Sequence, residues 1–248
     1  THRCRYNPHW HTANFFLALV HALDQAPENF PAWQAASVVS HPLSWPRPTL
    51  PTAARRSAEA LVLNTLKLNH LPPLVLLNAN CSDLVPLRKW MPERYVELAQ
   101  LLLDRHPDIY ILFTGSPAEV LQSATLATQV NSPRCGSIAG RTTLTQLLAV
   151  YGFASVLVTN DSGPVHFASL TQVKTVALFG PETPALFGPQ GEGVALTAGL
   201  PCSPCVSAQN SRQSRCRDNL CMRAISVATV YDAVSAYLAS PETIPSRP

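Results

Sequence analysis

From residue 74 onward, short apolar runs alternate with amphipathic stretches. The runs at 74–78, 109–114, 156–159 and 175–179 have strand length and no polar alternation, as in strands buried on both faces. Helical spacing follows at 92–105, 117–130, 144–151 and 164–170, and 137–139 reads as a further short strand. A last helix is expected over 226–238, apolar at Val227, Val230, Val234 and Leu238. Strands alternating with helices predict β-α units around a parallel sheet. Ser116-Pro117-Ala118-Glu119 has the form of a capping box, and Thr143 to Gln146 repeats the S/T-x-x-Q start.

The first 73 residues read differently. A helix at 13–23 places Phe15, Phe16, Leu19 and Leu23 on one stripe. Pro27, Pro31, Pro42, Pro46, Pro48 and Pro51 then predict extended or irregular chain, and 53–69 is a second helical run. At the other end, 180–222 is rich in Gly, Pro and Cys and reads as loop. The tail at 241–248 reads as flexible.

Composition narrows the class. With 248 residues and 46% hydrophobic content, the chain has enough apolar surface for a large core. A net charge of +3 gives no case for a nucleic-acid partner. No apolar run approaches the roughly 18 residues of a transmembrane segment. No signal-peptide pattern opens the chain and residue 1 is Thr, so an internal start is expected.

In an open parallel sheet, ligands bind beyond the carboxyl ends of the strands, where helix N-termini favour anions. The junction from Thr159 through Asn160, Asp161, Ser162 and Gly163 to His166 runs from an apolar strand into a helix. Ser162 and Gly163 can present N–H groups to a diphosphate, and Asp161 or Ser162 can cap the helix. The loop from Asn78 through Asn80 and Ser82 leads to Arg88 and Lys89, cations suited to phosphate or simply to solvent. Glu119 can hold ribose hydroxyls or serve only as the capping-box acid. Glu182, in the turn after the strand at 175–179, can face a sugar or lie in a plain surface turn.

These segments together resemble glycosyltransferase family 9, the ADP-heptose:lipopolysaccharide heptosyltransferase family. The resemblance is carried by ANCSDLVPLRKWMPERYVELAQLL, LFTGSPAE, AGRTTLTQLL, LVTNDSGPVHFASL and TVALFGPETP, in that order, together with the loop PCSPC. It implies an α/β fold in which 74–240 is a Rossmann-like, nucleotide-sugar-binding domain, the C-terminal half of a GT-B fold. Residues 1–73 would be the remnant of an acceptor domain and the crossing between domains. The donor site would comprise Asn80, Ser82, Arg88, Lys89, Glu119, Asp161, Ser162, Gly163, His166 and Glu182.

The implied reaction is inverting transfer of a heptose or related sugar from a nucleotide-diphosphate donor, ADP-heptose favoured, to a lipopolysaccharide core acceptor. No cofactor is required for it. The implied location is cytoplasmic, peripheral at the inner membrane. Met91 interrupts the family's Trp-Pro step. The family's catalytic base is an Asp early in the N-terminal half, and no residue matches it; Asp24 is the only Asp before Asp83. The catalytic residue is therefore unassigned, and the alternative reading is a non-catalytic nucleotide-sugar-binding module.

Cys202, Cys205, Cys216 and Cys221 crowd into the loop at 199–222. Their spacing is that of a four-cysteine structural zinc site; disulfides and free thiols are the competing readings. Arg212, Arg215 and Arg217, in the same loop, are candidates to face an anionic acceptor or to lie in solvent.

Overall fold

Strands β1 (Leu74–Asn78), β2 (Tyr110–Phe113), β3 (Cys135–Ser137), β4 (Val156–Asn160), β5 (Lys174–Leu178) and β6 (Gly193–Leu196) form one sheet in the order β3-β2-β1-β4-β5-β6. Every pairing is parallel. The computed structural model describes residues 6–24, 26, 45–81 and 83–239. Ser82, the proline-rich stretch at 27–44 and the tail at 241–248 lie outside the described residues.

The apolar runs become strands for the expected reason. All five residues of β1 and of β4 are buried, and alternate side chains enter opposite cores. Val75, Leu77, Val156 and Val158 face α3 (Pro92–Arg105) and α9 (Val227–Leu238), where Trp90, Tyr95, Leu102 and Val230 are fully buried. Leu74, Leu76 and Leu157 face the other way, toward α2 (Thr52–Leu66) and α5 (Leu144–Phe153). Each such side chain contributes about 1.5–3 kcal/mol by leaving water. The remaining helices are α1 (Thr12–His21), α4 (Val120–Val130), α6 (Gly163–Ala168), α7 (Pro184–Phe187) and α8 (Leu220–Arg223).

Three differences from the sequence reading have physical causes. Strand β6 lies within the stretch read as loop. It is four residues long and half-exposed, so its identity comes from pairing Val194 with Val176 and Leu196 with Leu178 rather than from its own pattern. Helix α2 packs against α5, with Ala58 and Val62 fully buried, so the packed unit begins upstream of residue 74. Helix α1 and the turn after it bury Ala18 and Ala22 and leave Phe16, Leu19 and Leu23 exposed, at 61%, 38% and 72%. An apolar stripe says which residues share a face, not which face is covered.

The strand order decides where a ligand can enter. The chain adds β2 and β3 on one side of β1, then crosses back to lay β4 on the other side. The loops leaving β1 and β4 therefore diverge at their carboxyl ends and open a crevice between them.

Candidate functional site

One side chain holds the two edges of this crevice in register. Asn160, the last residue of β4, has no exposed surface. Its Oδ1 accepts from the Trp90 backbone N–H at 3.0 Å and from the Tyr95 hydroxyl at 3.1 Å. Its Nδ2 donates to the carbonyls of Ala79 at 3.1 Å and Asn80 at 3.3 Å. All the hydrogen-bonding capacity of the amide is spent tying β4 to the loop after β1. Asn78 makes a parallel link, donating to the Thr114 hydroxyl at 3.2 Å beyond β2. The sequence reading passed over Asn160 as a site residue, because its role exists only when β1 and β4 are adjacent.

Next to Asn160, four charged groups converge. Asp161 has a side-chain exposure of 5% and faces Arg88, exposed 12%, with Oδ2 3.7 Å from Nη1. Glu182, exposed 2%, faces Arg212 with Oε1 3.7 Å from Nε. Burial pushes the Asp161 carboxyl up to about 6, against the opposing pull of Arg88 and Arg212. Burial also raises Glu182, and the charge of Asp161 raises it further. Three buried polar atoms here have no hydrogen-bond partner: Asp161 Oδ2, Glu182 Oε2 and Arg88 Nε. Such atoms are costly to bury. They amount to two acceptors and one donor.

The other residues singled out from the sequence divide. Asn80 is buried, and its amide lies with the Glu119 carboxylate around Gly115. A Cβ on that glycine would come within 3.0 Å of Glu119 Oε2 and 3.2 Å of Asn80 Nδ2. Glu119 also closes the expected capping box, accepting from the Ser116 N–H at 2.6 Å. The Ser162 hydroxyl does not cap α6; it donates to the Asn160 carbonyl at 3.2 Å and meets the Thr159 hydroxyl at 3.3 Å. At Gly163 a Cβ would meet only the Phe167 ring, at 3.5 Å, so the backbone is open to approach. His166 has its imidazole pushed below its usual value by burial and by nearby His11, whose Nε2 is 3.1 Å from the Gly188 carbonyl. Lys89 departs from the expectation: its ammonium pairs with exposed Asp83 at 3.0 Å instead of joining Arg88. Ser82 lies outside the described residues.

Among the described residues no three His, Cys, Asp or Glu side chains are grouped to hold an ion. Cys205 and Cys216 are near enough to raise the Cys221 thiol, and Cys202 and Cys216 are exposed while Cys221 is buried. The loop is tied to the strand ends. Cys205 and Val206 both donate their N–H groups to the Pro181 carbonyl at 2.9 Å. All three loop arginines are exposed, and Arg212 is the one that pairs with buried Glu182 among the described ion pairs.

Solved structures agree with this architecture. E. coli ADP-heptose lps heptosyltransferase II matches with a TM-score of 0.63 and 22% identity, over 82% of this chain and 56% of that one. The glycosyl transferase family 9 protein of Veillonella parvula matches with a TM-score of 0.69 and 20% identity, over 95% and 62%. These likenesses carry the fold, one Rossmann-like half of a GT-B architecture. Among curated relatives, lipopolysaccharide heptosyltransferase 2 of Salmonella typhimurium is 28% identical over 161 residues, 63% of this chain and 44% of the relative. Lipopolysaccharide heptosyltransferase 1 of Pseudomonas aeruginosa is 29% identical over 168 residues, 63% and 46%. The chain thus spans about half the length of the curated relatives it matches. The model of glycosyltransferase family 9 (heptosyltransferase) matches residues 1–215 and so takes in the carboxyl ends of β1 and β4, which makes the chain a member of that family.

Proposed function

We propose that the chain binds a nucleotide-diphosphate sugar at the crevice between β1 and β4 and forms the donor side of an inverting glycosyl transfer. ADP-heptose is the favoured donor, and a hydroxyl of the lipopolysaccharide core is the acceptor. The observation that carries this reading is the trio of buried polar atoms without a hydrogen bond on Asp161, Glu182 and Arg88. Sugar hydroxyls supply donors for the two carboxylates, and a phosphate oxygen supplies an acceptor for the guanidinium. The heptosyltransferase relatives support the same class of donor and acceptor.

In the proposed reaction the acceptor hydroxyl loses its proton as its oxygen attacks the anomeric carbon. The bond from that carbon to the diphosphate breaks, and the departing oxygens gain negative charge. Arg88 and the open backbone at Gly163 stabilise that charge, so the transfer needs no cofactor. Asp161 and Glu182 orient the sugar by its hydroxyls, and Glu119 with Asn80 receives the nucleoside side. The proton acceptor is unassigned. Asp24, the one Asp upstream of Asp83, is exposed in the turn that follows α1. The second reading is a nucleotide-sugar-binding module without turnover. Among the described residues no helix is long and apolar enough to cross a membrane. The proposed setting is the cytoplasmic side of the inner membrane, where the lipid-linked acceptor lies.

Calorimetric titration with ADP, UDP, GDP and their sugar conjugates tests the proposal. Selective ADP binding is expected. Arg88→Ala should weaken every diphosphate at least about tenfold, the size of a lost charge-assisted contact. Asp161→Ala should weaken the sugar conjugate more than bare ADP. Affinities unchanged in both variants would refute the donor site. Turnover of the sugar nucleotide with a core acceptor separates the enzyme from the binding module.

A further inference from the structure

The cysteine-rich loop lies across the two charged pairs. At its start, Ser203 Oγ donates to the Gly180 carbonyl at 2.5 Å, and Cys205 and Val206 donate to Pro181. At its end, Asn219 Nδ2 donates to the Lys89 carbonyl at 3.1 Å. One anchor is thus the residue before Glu182, and the other is the residue after Arg88. Between the anchors, Ser211 and Arg212 both adopt left-handed backbone, at φ 54° and 56°. Neither is a glycine, so the conformation costs energy and must be held by its surroundings. It is held by the Arg212 N–H bond to the Ser207 carbonyl at 2.9 Å, and it sends the guanidinium inward over the Phe187 ring at 5.4 Å.

The result is an arginine from a solvent-facing loop set against a carboxylate that is 2% exposed. Both Arg88–Asp161 and Arg212–Glu182 stand at 3.7 Å, ion-pair range but beyond hydrogen-bond reach. Neither guanidinium is locked to its carboxylate by a hydrogen bond, so each keeps its planar fork available for phosphate oxygens.

We infer that Arg212 is a second diphosphate-binding cation of the donor site, held in place by Glu182 until the nucleotide arrives and then closing the cysteine loop over it. This rests on the donor-site reading given above. Two guanidinia entering from opposite anchors suit a ligand with two adjacent phosphates better than one with a single phosphate. Glu182 has two successive partners, first Arg212 and then the sugar.

The test is calorimetric titration of the chain with ADP and with AMP. Arg212→Ala is expected to weaken ADP by about tenfold or more and AMP by less than about twofold. Arg212→Lys, which keeps the charge but not the fork, should fall between. Arg215→Ala, exposed in the same loop, should bind ADP as the parent does. Glu182→Gln should tighten bare ADP severalfold by removing the competing anion, and should do nothing further in the Arg212→Ala background. Arg212 is half-exposed, so its variants are expected to melt as the parent does, which circular dichroism checks. ADP binding lost in Arg88→Ala but kept in Arg212→Ala overturns the role of Arg212 and leaves the donor site standing. An equal effect of Glu182→Gln in both backgrounds overturns the pairing. Binding unaltered in both arginine variants, or no ADP binding by the parent, overturns both readings.

Discussion

Asp161→Asn should make the unliganded protein more stable and a poorer binder. The carboxyl is buried and its ordinary value of 3.8 is pushed up to about 6 by burial, with the attraction of Arg88 already acting against that rise. The folded state therefore holds the proton more tightly than the unfolded chain. The protonated group stabilises the fold fully below pH 3.8, and that contribution is lost as pH rises through about 6. A shift of this size corresponds to about 3 kcal/mol at pH 8. Asparagine imitates the neutral carboxyl, and each 1 kcal/mol moves the Tm of a chain this long by about 2–4 °C. The variant should melt about 6–12 °C higher at pH 8, with the gain vanishing near pH 4. Thermal denaturation by circular dichroism across this range measures the effect, and titration with an ADP-sugar measures the loss of affinity in the same samples. A variant less stable than the parent at pH 8, or an equal gain at pH 8 and pH 4, refutes the reasoning. A stabilising change that removes binding is the mark of a group retained for function.

Other outcomes follow from the same geometry. Asn160→Ala removes four hydrogen bonds at a fully buried position. Chemical denaturation should show a loss of about 3–5 kcal/mol, the sum of several unsatisfied groups, with ADP binding impaired even where the fold persists. Trp90→Phe keeps most of the apolar volume but removes the indole N–H that donates to the Ile225 carbonyl at 3.0 Å. Arg94 still donates to that carbonyl, so the cost expected from urea denaturation is about 0.5–1.5 kcal/mol. Native thiol labelling should modify Cys202 and Cys216 first, being exposed. Cys81 should react only on unfolding, and Cys135, whose thiol burial pushes up to about 12, should lag behind the exposed pair. Mass spectrometry of the labelled protein reads the order, and rapid labelling of Cys81 would contradict its burial.

Much of the fold was legible in the sequence because it is written in local chemistry. Unbroken apolar runs such as 74–78 can satisfy themselves only by burial on both faces, and helical spacing at 92–105 fits only one layer above them. The boxes at Ser116 and Thr143 close through bonds that span three residues. Strand β6 was not legible, because an exposed glycine and three half-buried residues gain strand geometry only from a neighbour already in place. The apolar stripe of α1 misled for the related reason that a periodic face carries no record of what covers it.

For the site, the sequence determined the residue types and their order: a carboxylate after an apolar strand, an arginine before a tryptophan, a glutamate in a turn. These are short-range facts, and they were enough to recognise the family pattern. Only the tertiary structure decided which charges meet. Asp161 and Arg88 lie 73 positions apart and come together because β4 is laid beside β1. Arg212 stood among three similar loop arginines, and two left-handed residues turned that one toward Glu182. Lys89, adjacent to Arg88 in sequence, was taken away by Asp83. Charge pairing depends on distance and burial, and both are properties of the packed sheet rather than of the local chain.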